Sequence, residues 1–99
     1  MDWVDDAARQ LERVLGDPLA DSMRGAVRIV RASEPKSRGK YQECELVVVT
    51  EADGIPETLV RTAVVTSLVH WPRVGAVLPA LISRTDPTRI EVDWDALAR

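Results

Sequence analysis

The sequence predicts a mainly β domain, α+β by element count, in which one N-terminal helix precedes a five-stranded antiparallel meander curled into a small barrel or sandwich. Three observations carry this. Ile90-Glu91-Val92-Asp93-Trp94-Asp95 alternates apolar residues strictly with acids, which places Ile90, Val92 and Trp94 on a core face and the carboxylates in water. The core must be built from Val, Leu, Ile and Ala, because the chain holds three Trp, one Tyr and no Phe, and a Val-rich core suits strands. Turn residues then break the chain into segments of strand length, joined mostly by short connections.

The helix is expected over residues 2–16. Asp2 serves as its cap, Ala7 and Ala8 raise propensity, and Val4, Ala7, Leu11, Val14 and Leu15 form an apolar stripe that Gly16 ends. A helix of this length is marginal alone, so its stripe must dock on the domain or on a second copy. Asp17-Pro18 separates it from a β body over residues 25–95, the whole forming a single domain over 1–99.

Gly25 marks the start of the first strand, Ala26 to Ala32, with Val27 and Ile29 opposite Arg28 and Val30. Ser33 to Lys40 is polar, carries Pro35 and Gly39 and has no periodicity, which predicts a mobile loop. Tyr41 to Glu51 is the second strand; its first half alternates, and Leu46-Val47-Val48-Val49 is apolar on both faces, as where a sheet curls or a helix covers it. Asp53-Gly54 is a hairpin turn. Residues 56–71 admit two readings. Leu59, Val60, Ala63, Val64, Leu68 and Trp71 fit one side of a helix with Pro56 in its first turn, whereas Thr58, Val60, Thr62, Val64, Val65, Thr66 and Val69 are β-branched and favour a strand returning along the second. Pro72 stops the segment, Gly75 opens a fourth strand through Ile82 with Pro79 at its edge, and Asp86-Pro87 turns into the fifth, where Trp94 closes the core.

Gly75 with a following Val-Leu-Pro, then Asp86-Pro87 before a last alternating strand, resembles short uncharacterised actinobacterial proteins of SHOCT-associated type. Gly75, Pro79, Asp86 and Pro87 match that pattern, loosely extended over Gly25 to Asp95, while Ser83-Arg84-Thr85 stands where the pattern has an Asp-Pro pair. The resemblance implies a small all-β domain and no particular activity.

A net charge of −3 and a pI near 5.1 argue against a general nucleic-acid binder, because such binders need a positive field. One cysteine, Cys44, forms no internal disulfide, and the longest nearly apolar run, Val74 to Ile82, is too short to span a bilayer, so a cytoplasmic protein without a membrane span is expected. His70, the lone histidine, has no positioned nucleophile or orienting acid; one His and one Cys do not complete a metal site; and Glu91, Asp93 and Asp95 diverge along a strand instead of wrapping a cation. No catalytic residue, metal or cofactor is expected.

The candidate binding residues are the basic cluster Lys36, Arg38 and Lys40, the adjacent Tyr41, and Trp71 ahead of Pro72. Gly25, Gly54, Gly75, Pro79, Asp86, Pro87 and Trp94 have structural roles. Two functions fit: a non-enzymatic protein-interaction module, self-associating or binding a partner through the helix stripe or an open sheet edge, or a small ligand- or nucleic-acid-binding barrel with a pocket near Tyr41 and Trp71 and Arg28, Lys36 or Arg38 at its mouth.

Overall fold

The computed structural model describes residues 21–99; the expected helix over 2–16 lies outside the described residues. Five antiparallel strands form one sheet: β1 (Ser22–Ala32), β2 (Tyr41–Glu51), β3 (Leu59–Ser67), β4 (Val77–Ser83) and β5 (Ile90–Val92), followed by a 3-10 turn at Trp94–Ala98. Residues 59–67 are strand, so the β-branched composition of that segment outweighs its helical spacing. The sheet is curled into a half-barrel.

The strand order is β3-β2-β1-β4-β5, and this corrects the expected meander. β1, β2 and β3 follow one another in space, as do β4 and β5; between the two runs β4 crosses back to pair with β1, from Ser22↔Ser83 to Arg28↔Val77. The crossing ends at a tight turn in which Ala76 N–H bonds to the Arg73 carbonyl at 3.1 Å and Gly75 takes φ +93°. Gly75 N–H then reaches the Ile29 carbonyl at 2.7 Å and Ile29 N–H the Ala76 carbonyl at 2.9 Å, so the turn is tied to β1 before β4 begins. The Asp53-Gly54 turn, closed by Ile55 N–H on the Ala52 carbonyl at 3.2 Å, also needs a left-handed glycine, with φ +76° at Gly54.

The inner face carries Val27, Ile29, Cys44, Leu46, Val48, Val60, Leu78 and Ala80, all buried. Burying a side chain of the Val, Leu or Ile kind contributes about 1.5 to 3 kcal/mol, so this cluster dominates stability. Trp71, Trp94, Ile90, Val92, Ala96 and Leu97 pack around its margin. Val49 is buried although its neighbours in the alternation put it on the outer face, in keeping with the two-sided apolar pattern of that stretch.

Three details differ from the alternation expected of the sequence. In β1 the register shifts between Ile29 and Arg31, so Val30 is an inserted bulge residue and Ala32, not Val30 or Arg31, resumes the inner face. Gly25 lies inside β1 rather than at its start, where a Cβ would stand 2.6 Å from the Glu51 carbonyl oxygen and 2.8 Å from Ala52 Cβ. β5 stops at Val92, so Trp94 belongs to the 3-10 turn and is half-buried instead of continuing the strand into the core.

Pro79 accounts for that stop. It is not at a sheet edge, since β4 is flanked by β1 and β5. Its carbonyl accepts Asp93 N–H at 2.9 Å, so its ring nitrogen also faces β5 and has no hydrogen to give back to Asp93. The β4–β1 ladder loses nothing, while the β4–β5 ladder ends one residue earlier, at Ala80↔Val92.

Candidate functional site: a free sheet edge and a basic turn

The two edges of the sheet differ. β5 is a three-residue edge with the exposed Glu91 at its centre, and it gives way directly to the 3-10 turn. Short, charged edges of this kind resist pairing with other chains. β3 is a nine-residue edge with no proline, one charge, Arg61, and no strand beyond it among the described residues.

The register shows which groups that edge presents. Thr50 N–H bonds to the Thr58 carbonyl at 3.0 Å and β2 pairs with β3 without a shift from Tyr41↔Ser67 to Val49↔Leu59. The even positions Val60, Thr62, Val64 and Thr66 therefore direct their main-chain groups at β2, and Leu59, Arg61, Ala63, Val65 and Ser67 direct theirs away from the sheet. The side chains of these odd positions share the outer face, where Leu59 and Val65 are each 67% exposed. Beside them on β2 stand Tyr41, Glu43, Glu45, Val47 and Val49, rung by rung.

At one end of this face lies the basic turn, and the structure gives it a form that composition does not predict. The Gln42 side chain acts as a clasp. Its Oε1 accepts the N–H groups of Lys36 and Ser37 at 2.9 and 3.2 Å, and its Nε2 donates to the carbonyls of Ser37 and Gly39 at 2.8 and 3.2 Å. Ser37 Oγ accepts Gly39 N–H at 3.1 Å within the same turn. The expected mobile loop is thus a hydrogen-bonded turn from which Lys36, Arg38 and Lys40 project. Lys40 Nζ lies 5.6 Å from the centroid of the Tyr41 ring, and Tyr41 is otherwise 64% exposed. Gln42 was not legible as a functional residue; its one sequence signal is its place directly after a Gly-bearing polar stretch.

Trp71 is on the other face. It packs against the core cluster, and its indole Nε1 donates to the Ser33 carbonyl at 2.9 Å. With that carbonyl turned away, Ser33 Oγ takes its place in the ladder and accepts Glu45 N–H at 3.0 Å, while Ser33 N–H still bonds to the Glu45 carbonyl at 2.9 Å. Tyr41 and Trp71 therefore do not line one pocket. Nor is Arg28 near the basic turn's charges in the ladder: its Nη1 sits 3.2 Å from Glu51 Oε1, close enough for charge attraction though without the alignment of a hydrogen bond, on a buried oxygen that has no other partner among the described residues. A shallow cavity of about 350 Å³ does adjoin Trp71, between Leu78, Leu97, His70, Arg73 and Arg99.

Cys44 is fully buried, with Sγ 3.8 Å from the Ser33 carbonyl, and His70 is exposed after β3. They share no site. Asp93 holds Arg99 at 2.6 Å, and no group of three metal-capable side chains occurs among the described residues. No described helix is long and apolar enough to cross a membrane. Asp86 is the one group with a clear shift among the described residues: hydrogen bonds from Thr88 Oγ1 at 2.6 Å and Thr88 N–H at 3.2 Å, with Arg89 nearby, hold its carboxyl below the ordinary value of 3.8. Comparison of the chain with protein-family models, with curated proteins and with solved structures gives no match.

Proposed function

We propose that the protein is a non-enzymatic, cytoplasmic interaction module that works by strand addition at β3. The observation that carries this reading is the contrast between the sheet's two edges: β5 is short and charged, while β3 offers a nine-residue edge, rich in β-branched residues, that nothing covers among the described residues. An added strand gains main-chain hydrogen bonds from the odd positions and selects its side chains through the exposed Leu59 and Val65. Arg61 on β3 and Glu43 and Glu45 on β2 supply charges that favour one alignment over another.

The test uses a peptide with the sequence of residues 58–68 added to the isotope-labelled full chain. Amide shifts concentrated at Arg61, Ala63 and Val65, and abolished by Val65→Lys, support strand addition. Shifts scattered over the surface, or none at peptide saturation of the solubility range, count against it.

A second reading, a small ligand- or nucleic-acid-binding half-barrel, rests on the basic turn, which Gln42 holds in one shape with three cations and Tyr41 on display. The position of Lys40 over the Tyr41 ring weakens it, since that occupies an aromatic face a base would stack on. Salt-sensitive binding of a single-stranded oligonucleotide, lost in a Lys36→Ala, Arg38→Ala, Lys40→Ala variant, would favour this reading over the first.

A further inference from the structure

Resting on the strand-addition reading, we infer that the occupant of the β3 edge is the β3 edge of a second copy, paired antiparallel about a two-fold axis at Ala63. The odd residues, whose main-chain groups face outward, then meet as Ala63↔Ala63, Arg61↔Val65 and Leu59↔Ser67, each with its counterpart from the other copy. The two half-barrels become one continuous ten-stranded sheet, and neither copy keeps a long free edge among the described residues.

Side-chain complementarity selects the second copy and this register. Each rung across the junction can be read outward from the β2–β3 register. The central rung runs Glu45, Ala63, Ala63, Glu45; the next runs Glu43, Val65, Arg61, Val47; the outer one runs Val49, Leu59, Ser67, Tyr41. Arg61 thus lays its stem over the exposed Val65 of the other copy and reaches toward Glu43 beyond it, pairing opposite charges across an apolar residue. Leu59 and Tyr41, 67% and 64% exposed, stand on either side of the small Ser67 and close over it. Ala63 meets Ala63 on the axis, Ser67 faces the larger Leu59, and Glu43 of β2 falls on the rung of Arg61, the one cation of β3.

The neighbouring register, with Thr62 on the axis, is worse on two counts. It forms about eight main-chain hydrogen bonds between the edges instead of about ten. It also brings the two Arg61 positions to about 8 Å, within the screening length, whereas the Ala63-centred register keeps them about 14 Å apart.

The experiment compares the full-length chain with two single-cysteine additions, Ala63→Cys and Thr62→Cys, under mild oxidation, alongside sedimentation velocity of the unmodified chain over roughly a hundredfold concentration range. Native Cys44 is fully buried, and the oxidised wild type serves as its control. The expected result is concentration-dependent dimerisation of the wild type, loss of the dimer in Val65→Lys, and cross-linking of Ala63→Cys at least severalfold faster than Thr62→Cys. Preferential cross-linking of Thr62→Cys overturns the register. A wild type that stays monomeric over the range, with neither variant cross-linking, overturns the second copy as occupant; the peptide titration then decides separately whether the edge binds strands at all.

Discussion

The indole N–H of Trp71 donates to the carbonyl of Ser33 at 2.9 Å, joining positions 38 residues apart in sequence. This bond fixes where β1 leaves the sheet and where the chain comes off β3, so it aligns the basic turn with the end of the free edge. Replacing Trp71 by Phe keeps most of the apolar contact and removes the donor. The expected loss is about 1 to 2 kcal/mol in urea denaturation, the cost of leaving a part-buried carbonyl with only the weak Cys44 thiol as donor. Trp71→Ala should lose more, because the core margin is then also unfilled.

Gln42→Ala tests the clasp. The amides of Lys36, Ser37 and Gly39 depend on Gln42 or on the turn it closes, and they are solvent-exposed. Their hydrogen exchange should accelerate sharply, while global stability falls by less than about 1 kcal/mol, since exposed polar contacts contribute little net. Unchanged exchange in the variant would mean that the turn is held by something else.

Gly25→Ala should be costly for a steric reason. The added Cβ meets the Glu51 carbonyl and Ala52 Cβ well inside contact distance, so β1 and the end of β2 must separate. A loss of about 1 to 3 kcal/mol is expected from denaturation curves. Ala at Gly54 meets no atom within 4 Å, yet it also destabilises, there because of the backbone's positive φ.

Much of this architecture is legible from the chain, and the exceptions share a cause. The alternation of Tyr41–Leu46, the two-sided apolar run after it and the turns at Asp53-Gly54 and Asp86-Pro87 are local patterns, and each sits where its pattern implies. The pairing of β4 with β1 is not local; nothing in Val77–Ser83 distinguishes β1 from β3 as its neighbour. The bulge at Val30 is equally hidden, because it adjusts the register of β1 against β2, past the point where β4 pairs with it. Pro79 could be recognised as a limit on pairing, but which ladder it limits depends on which side its nitrogen faces. Of the candidate site, the basic cluster and Tyr41 were visible as residue types, whereas the free edge emerged only from the strand order and Gln42 only from the turn's hydrogen bonds.

Asp86 gives a pH-dependent prediction. Its carboxyl titrates below 3.8 in the folded chain because hydrogen bonds from Thr88 favour the ionised form, with Arg89 adding attraction. A depressed folded pKa means that the associated stability is present above the unfolded value and is lost as pH falls through the folded one. Thr88→Val removes the hydroxyl donor and should raise the Asp86 pKa toward its ordinary value, as followed by side-chain carboxyl NMR. The stability difference between wild type and variant should be full at neutral pH and disappear in strong acid. A gap that persists unchanged at low pH would place the effect of Thr88 in packing rather than in Asp86.

The most direct test of the account is residue-resolved hydrogen exchange along β3 in dilute solution. Val60, Thr62, Val64 and Thr66 direct their amides at β2, and Arg61, Ala63 and Val65 direct theirs away from the sheet. Alternating protection is expected, slow at the even positions and fast at the odd ones, with the odd amides becoming protected as concentration rises. Uniform protection of all these amides at high dilution would show that β3 is already paired or covered, and would contradict the claim that it is the working edge.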